Sequence, residues 1–129
     1  MKNIISAITM ALLLVACAKP AETEFKVPSP EDVVMYQVNP RNYAPEDSFN
    51  AVASHLDSIQ TMGVNVLWFM PIYEIGELKS LNSPYSIRDY RSVNPEFGTL
   101  ADFKSLVAES HNRGMIVIID WVANHTSWD

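Results

Sequence analysis

Residues 115–125 read M-I-V-I-I-D-W-V-A-N-H. Five successive apolar side chains without alternation suit a strand covered on both faces, the pattern of a parallel sheet flanked by helices. The run ends abruptly in polar, chemically capable groups: Asp120, Asn124 and His125. In α/β architectures ligands bind at the carboxyl ends of parallel strands. The stretch therefore predicts a site at a strand tip.

Toward the N-terminus, a helix precedes this strand. Thr99 opens it with Asp102 three residues on, an approximate capping box, and Leu100, Phe103, Leu106 and Val107 supply its buried face before Gly114 ends it. Upstream, V-N-V-L-W-F-M at 64–70 is a second apolar strand, stopped by Pro71, with Trp68 and Phe69 expected in the core. Before it, Phe49, Val52, Ala53, Leu56, Ile59 and Met62 recur at helical spacing, which predicts one amphipathic helix from an Asp47 or Ser48 N-cap to Gly63. Residues 33–38, V-V-M-Y-Q-V, read as the first strand, and Asn39-Pro40 stops it. Residues 72–98 sustain neither period and are expected to form a long loop, a length associated with function in compact domains. Strand, helix, strand, helix, strand implies parallel strands joined by crossovers. Three such strands with two helices leave apolar faces and edges uncovered. The expected fold class is therefore α/β: the first three βα units of a (β/α)8 TIM barrel, incomplete in this chain, since a closed barrel takes about 250 residues.

The N-terminus has a different logic. Met1-Lys2-Asn3 is a short positive start, and the apolar run at 4–16 is shorter than the ~20 residues that span a bilayer but matches a signal peptide. Leu14-Val15-Ala16-Cys17 closes it and resembles a bacterial lipobox, whose cysteine is acylated; the competing reading is a plain signal peptide with an incidental cysteine. The domain reading is thus a lipoprotein signal peptide at 1–17, a flexible tether at 18–32 rich in proline and charge, and the folded part at 33–129. Cys17 is the single cysteine, so no intramolecular disulfide forms. With 9 basic against 15 acidic residues and no basic block, nucleic acid is excluded as a partner. The expected location is the bacterial cell envelope, at the outer membrane or cell surface, with the membrane engaged through lipid on Cys17.

Four stretches resemble the α-amylase family of glycoside hydrolases, family 13. Tyr36-Gln37 is similar to its early Y-Q element, and Gly63-Val64-Asn65-Val66-Leu67-Trp68-Phe69-Met70-Pro71 to its G-x-x-x-x-W-x-x-P strand. Tyr85-Ser86-Ile87-Arg88-Asp89-Tyr90, followed by Phe97-Gly98-Thr99, is similar to its Y-x-x-x-D-Y and F-G-T segment, and the residues from Asp120 to His125 match D-x-x-x-N-H. The resemblance implies an enzyme acting on α-glucans such as starch or maltodextrins by the retaining mechanism. It implies that His125 hydrogen-bonds the sugar at the cleavage subsite, that Tyr85 stacks on the same sugar, and that Asp120 is a structural carboxylate whose partner is an arginine farther along. It also implies that Asn124 is one ligand of a calcium ion. The nucleophile and acid/base of the family follow the fourth and fifth strands, so none of these catalytic carboxylates is expected in this chain, which alone is expected to be inactive. The connection at 39–46 lacks the Asp- and Gly-rich calcium loop of some members.

Blander readings stand beside these. Without the resemblance, His125 reads as a strand-end histidine, Asn124 as a turn residue, Asp120 as a cap and Tyr85 as a loop aromatic. Asp89 and Glu96 read as solvated loop carboxylates. Two alternative functions remain: a non-catalytic glucan-binding or interaction relative of the same barrel, and an independent small lipoprotein that dimerises to cover its edges.

Overall fold

Three short parallel strands position everything else. β1 (Met35–Val38), β2 (Val66–Phe69) and β5 (Ile116–Ile119) form a sheet in the order β1-β2-β5, with Val38 beside Phe69 and Phe69 beside Ile119. The computed structural model describes residues 26–129; Cys17 and the signal peptide expected at 1–17 lie outside the described residues. Side chains alternate across a strand, so the register puts Tyr36, Val38, Leu67, Phe69, Val117 and Ile119 on one face, where they join the core. The opposite face carries Gln37, Trp68 and Ile118 in one row. There Met35 is 46% and Ile118 40% exposed. The expectation of strands covered on both faces is thus met fully on one side, while on the other Val66 is buried and Met35 and Ile118 stay open.

The covering side is made by helices. Phe49, Phe97 and Phe103 interlock, with ring centroids 6.1 Å (Phe49–Phe97) and 5.1 Å (Phe49–Phe103) apart, and Phe103 meets Phe69 edge-on at 5.7 Å. Phe49 is fully buried. Phe103 belongs to α4 (Leu100–Asn112), which starts with the expected capping box: Thr99 Oγ1 accepts from the Asp102 N–H at 3.2 Å, and the Asp102 carboxylate accepts from the Thr99 N–H at 2.8 Å. Thr99→Ala removes one half of that exchange and is expected to cost about 1 kcal/mol, read as a lower urea midpoint with an unchanged slope.

The single helix expected over 47–63 is interrupted. A helical turn α1 (Pro40–Tyr43) is followed by α2 (Ser48–Ser54) and α3 (Leu56–Thr61), separated at His55 with φ −104° and ψ 1°. Ser54 Oγ donates to the Ala51 carbonyl at 2.7 Å and the His55 N–H reaches back only to Val52, at 3.0 Å, so the local bonding tightens there. Tyr43 O–H and His55 Nδ1, 2.8 Å apart, hold the break. Asp47 occupies the N-cap position in left-handed conformation (φ 51°) but makes no capping bond; its carboxylate accepts from Asn50 Nδ2 instead.

The segment expected as a loop also contains structure. β3 (Tyr73–Ile75) and β4 (Ile87–Val93) pair antiparallel with two register shifts, and Pro95–Phe97 forms a 3-10 turn capped by the Asn94 side chain. The shifts, and a β4 sequence I-R-D-Y-R-S-V that does not alternate, hide the hairpin from a period-2 reading. Gly98 follows at φ 119°, where a Cβ would come within 3.1 Å of Asp47 Oδ1 and 3.2 Å of the Phe49 ring, which gives the F-G-T sequence its local reason. Pro30–Asp32, at the end of the expected tether, is a 3-10 turn fixed by Asn65, which donates to the Asp32 carbonyl and accepts from the Val34 N–H.

Candidate active site

Asp120 is the residue immediately after β5, and its N–H continues the ladder to the Phe69 carbonyl at 2.9 Å. Alternation therefore puts its side chain on the face of Ile118 and Trp68. Both carboxylate oxygens are engaged. Trp68 Nε1 donates to Oδ1 at 2.6 Å, and the Tyr85 hydroxyl donates to Oδ2 at 2.8 Å. Trp68, expected as plain core, is half-buried and holds the carboxylate; the indole N–H needs a partner there, and Asp120 is within reach. Among the described residues the side chains bonded to the Asp120 carboxylate are Trp68 and Tyr85.

Tyr85 lies in the turn between β3 and β4 and is 37% exposed, so its phenol is tied down while part of its ring faces solvent. Its hydrogen bond to Asp120, with burial and the Asp120 charge behind it, raises its pKa. Protonated Tyr85 therefore favours the folded chain fully below the ordinary tyrosine pKa of about 10, and that contribution is lost as pH rises through the higher folded value. Absorbance titration near 295 nm should show a late-ionising phenol that disappears in Tyr85→Phe; a difference spectrum centred at or below pH 10 would refute the coupling.

Residues 121–129 leave the sheet and lie along the hairpin. The Ser127 N–H donates to the Ile87 carbonyl at 2.8 Å, and the Asp129 carboxylate accepts from the Glu77 and Leu78 N–H groups at 3.0 and 3.3 Å. Those backbone donors, Glu77 first, hold the Asp129 carboxyl below the usual carboxylate range. Lys79 Nζ stands 4.3 Å over the Trp128 ring. A Cβ on Gly76 would sit 2.4 Å from Asp129 Oδ1 and from Ser127 Cβ, so glycine alone admits this approach.

Within the segment, Asn124 and His125 are exposed and adjacent, Asn124 Nδ2 lying 3.2 Å from His125 Nδ1. If Asn124 donates here, the His125 ring proton is on Nε2 and faces outward as a donor. Tyr90, on β4, donates its hydroxyl to the carbonyls of Val122 and His125, the latter at 3.3 Å. Trp121, Asn124, His125 and Tyr90 line one open cleft. The structure thus joins Tyr85 to Asp120 and Asn124 to His125, and links the two pairs through the 120–125 backbone and Tyr90. Trp68, expected as core, and Tyr90 carry no site role in the sequence reading, although each stands in a motif that carries the resemblance. Asp89 and Glu96 have local work: Asp89 accepts from the Arg91 N–H, and Glu96 pairs with Arg41 at 3.3 Å.

An imidazole N–H, an amide and a half-exposed phenol ring suit a polyhydroxylated ring ligand, hydroxyls to the former and an apolar face to the latter. Among the described residues no group of three or more His, Cys, Asp or Glu side chains could hold a metal, and Asn124 offers one neutral oxygen where calcium takes 6–8.

The model for the alpha-amylase catalytic domain matches residues 38–129. An oligo-1,6-glucosidase of Halalkalibacterium halodurans is 38% identical over 102 residues, covering 75% of this chain and 18% of that protein. The crystal structure of an alpha-amylase from Lactobacillus plantarum superimposes with a TM-score of 0.69 at 46% identity, covering 74% of this chain and 23% of that one. The amino acid transporter heavy chain SLC3A1 of Rattus norvegicus is 34% identical over 98 residues, 72% of this chain and 14% of that protein. The chain therefore spans under a quarter of the length of each of these relatives. Its three parallel strands with their helices are a partial (β/α)8 barrel.

Proposed function

The chain belongs to the alpha-amylase catalytic-domain family, and on that premise we propose that it forms the N-terminal part of a retaining glycoside hydrolase acting on α-glucans. The observation that carries this reading is the tip of the third parallel strand, where Asp120 fixes the Tyr85 phenol and Asn124 and His125 follow within five residues. Tyr85 offers a ring to the apolar face of a pyranose. His125 offers an N–H to a hydroxyl of the same sugar, an interaction that strengthens as the ring gains oxocarbenium character. The two carboxyl groups of a retaining reaction stand about 5–5.5 Å apart; in this proposal strands beyond the three described here supply them, and the residues described supply substrate positioning.

The test is the stereochemistry of the product. The protein encoded by the complete reading frame is mixed with maltooligosaccharides, and proton NMR follows the first anomer released. An α-anomer that then mutarotates supports the reading; a β-anomer, or turnover of β-linked glucans alone, overturns it. A second reading is favoured by the likeness to the transporter heavy chain: a relative of the same barrel that interacts without cleaving. Binding of maltooligosaccharide with no released anomer is its signature.

On the sequence reading of residues 1–17, the protein is anchored at the cell envelope through lipid on Cys17. Labelled fatty acid should enter the protein and be lost completely in Cys17→Ala; equal labelling of both would remove the anchor.

A further inference from the structure

We propose that Tyr90 is a positioning residue that sets the place of the His125 imidazole; this rests on the sugar-binding role given to His125 above. Segment 121–126 has no regular secondary structure, and its flanks are held by the Asp120 and Ser127 N–H groups, bonded to Phe69 and Ile87. Between those anchors the Tyr90 hydroxyl reaches the carbonyls of both Val122 and His125. One phenol thus closes a bend whose far end carries the imidazole. A hydroxyl has one proton, so the two carbonyls share it, and a small change in the bend redistributes the bond rather than breaking it.

Tyr90 is itself placed by a contact outside the segment. It stands on β4, and its ring lies against Tyr73 with centroids 5.2 Å apart and planes tilted by 50°. The hairpin therefore sets the phenol, and the phenol sets the peptide that carries His125. Removing the hydroxyl frees that peptide, and displacing a positioned group by about 1 Å can cost as much as about 100-fold in rate.

The test uses Tyr90→Phe, which keeps the ring against Tyr73, in the full-length protein. Expected are a fall of about 10- to 100-fold in kcat/KM on maltooligosaccharides and a displaced His125 Cε1–H resonance. In a His125→Ala background the same change should cost no more than about twofold, because the two residues act as one unit. A purely structural role would lower Tm while leaving the imidazole resonance in place. The proposal is overturned by an unmoved resonance, or by an equal loss in both backgrounds. If His125→Ala retains full activity, the function proposed above fails, and the resonance still decides whether Tyr90 positions the ring. Should Tyr90→Phe not fold, 3-fluorotyrosine at position 90 retains the phenol while making its hydroxyl a more acidic and stronger donor to the two carbonyls, and it must shift the same resonance.

Discussion

His125→Ala should lower kcat/KM on maltooligosaccharides by about 100- to 1,000-fold, the loss that follows removal of one preorganised donor whose contact tightens in the transition state. The ring is exposed and bears on no core residue, so the fold should survive the change. Most of the loss belongs in kcat, since an interaction realised mainly in the transition state leaves ground-state binding little altered. A histidine serving only as a turn residue would leave both constants within about threefold, inside the range of ordinary surface substitutions. Steady-state kinetics with matched thermal melts separates these outcomes.

Phe49→Ala is expected to cost about 3–5 kcal/mol, the largest stability effect of any single change considered. The side chain is fully buried between Phe97 and Phe103, which in turn meets Phe69 of the central strand. Truncation opens a void bounded by the rings of Phe97 and Phe103, the latter backed by Phe69. Those rings are anchored in a 3-10 turn, α4 and β2, so they cannot all move inward to fill it. A typical domain has only about 5–15 kcal/mol in hand, so the variant should unfold at markedly lower urea or lose cooperativity. A cost below about 1 kcal/mol would mean that the cluster does not organise the core.

The parallel strands were legible because continuous apolar runs leave few alternatives, and the start of α4 because Thr99 and Asp102 satisfy each other's backbone. Asp120, Asn124 and His125 were legible because they interrupt such a run. The break at His55 was not: the 3.6-residue pattern passes through it, and only a serine bonding back to its own turn announces it. Nor was the hairpin, whose register shifts erase alternation. The tie from Trp68 to Asp120 spans 52 positions and depends on which face of β2 the indole occupies, which sequence periodicity alone does not reveal.

The bond between Tyr85 and Asp120 joins residues 35 positions apart, and Glu77 meets Asp129 across 52. During synthesis at about 5–20 residues per second, Tyr85 emerges about 2–7 seconds before the carboxylate that holds it. A two-stranded hairpin is marginal by itself in water. The nascent chain therefore carries an unfinished half of its proposed binding surface that settles only when the third parallel strand is complete, so a ribosome stalled between residues 90 and 120 would present the hairpin without the carboxylate that ties it down.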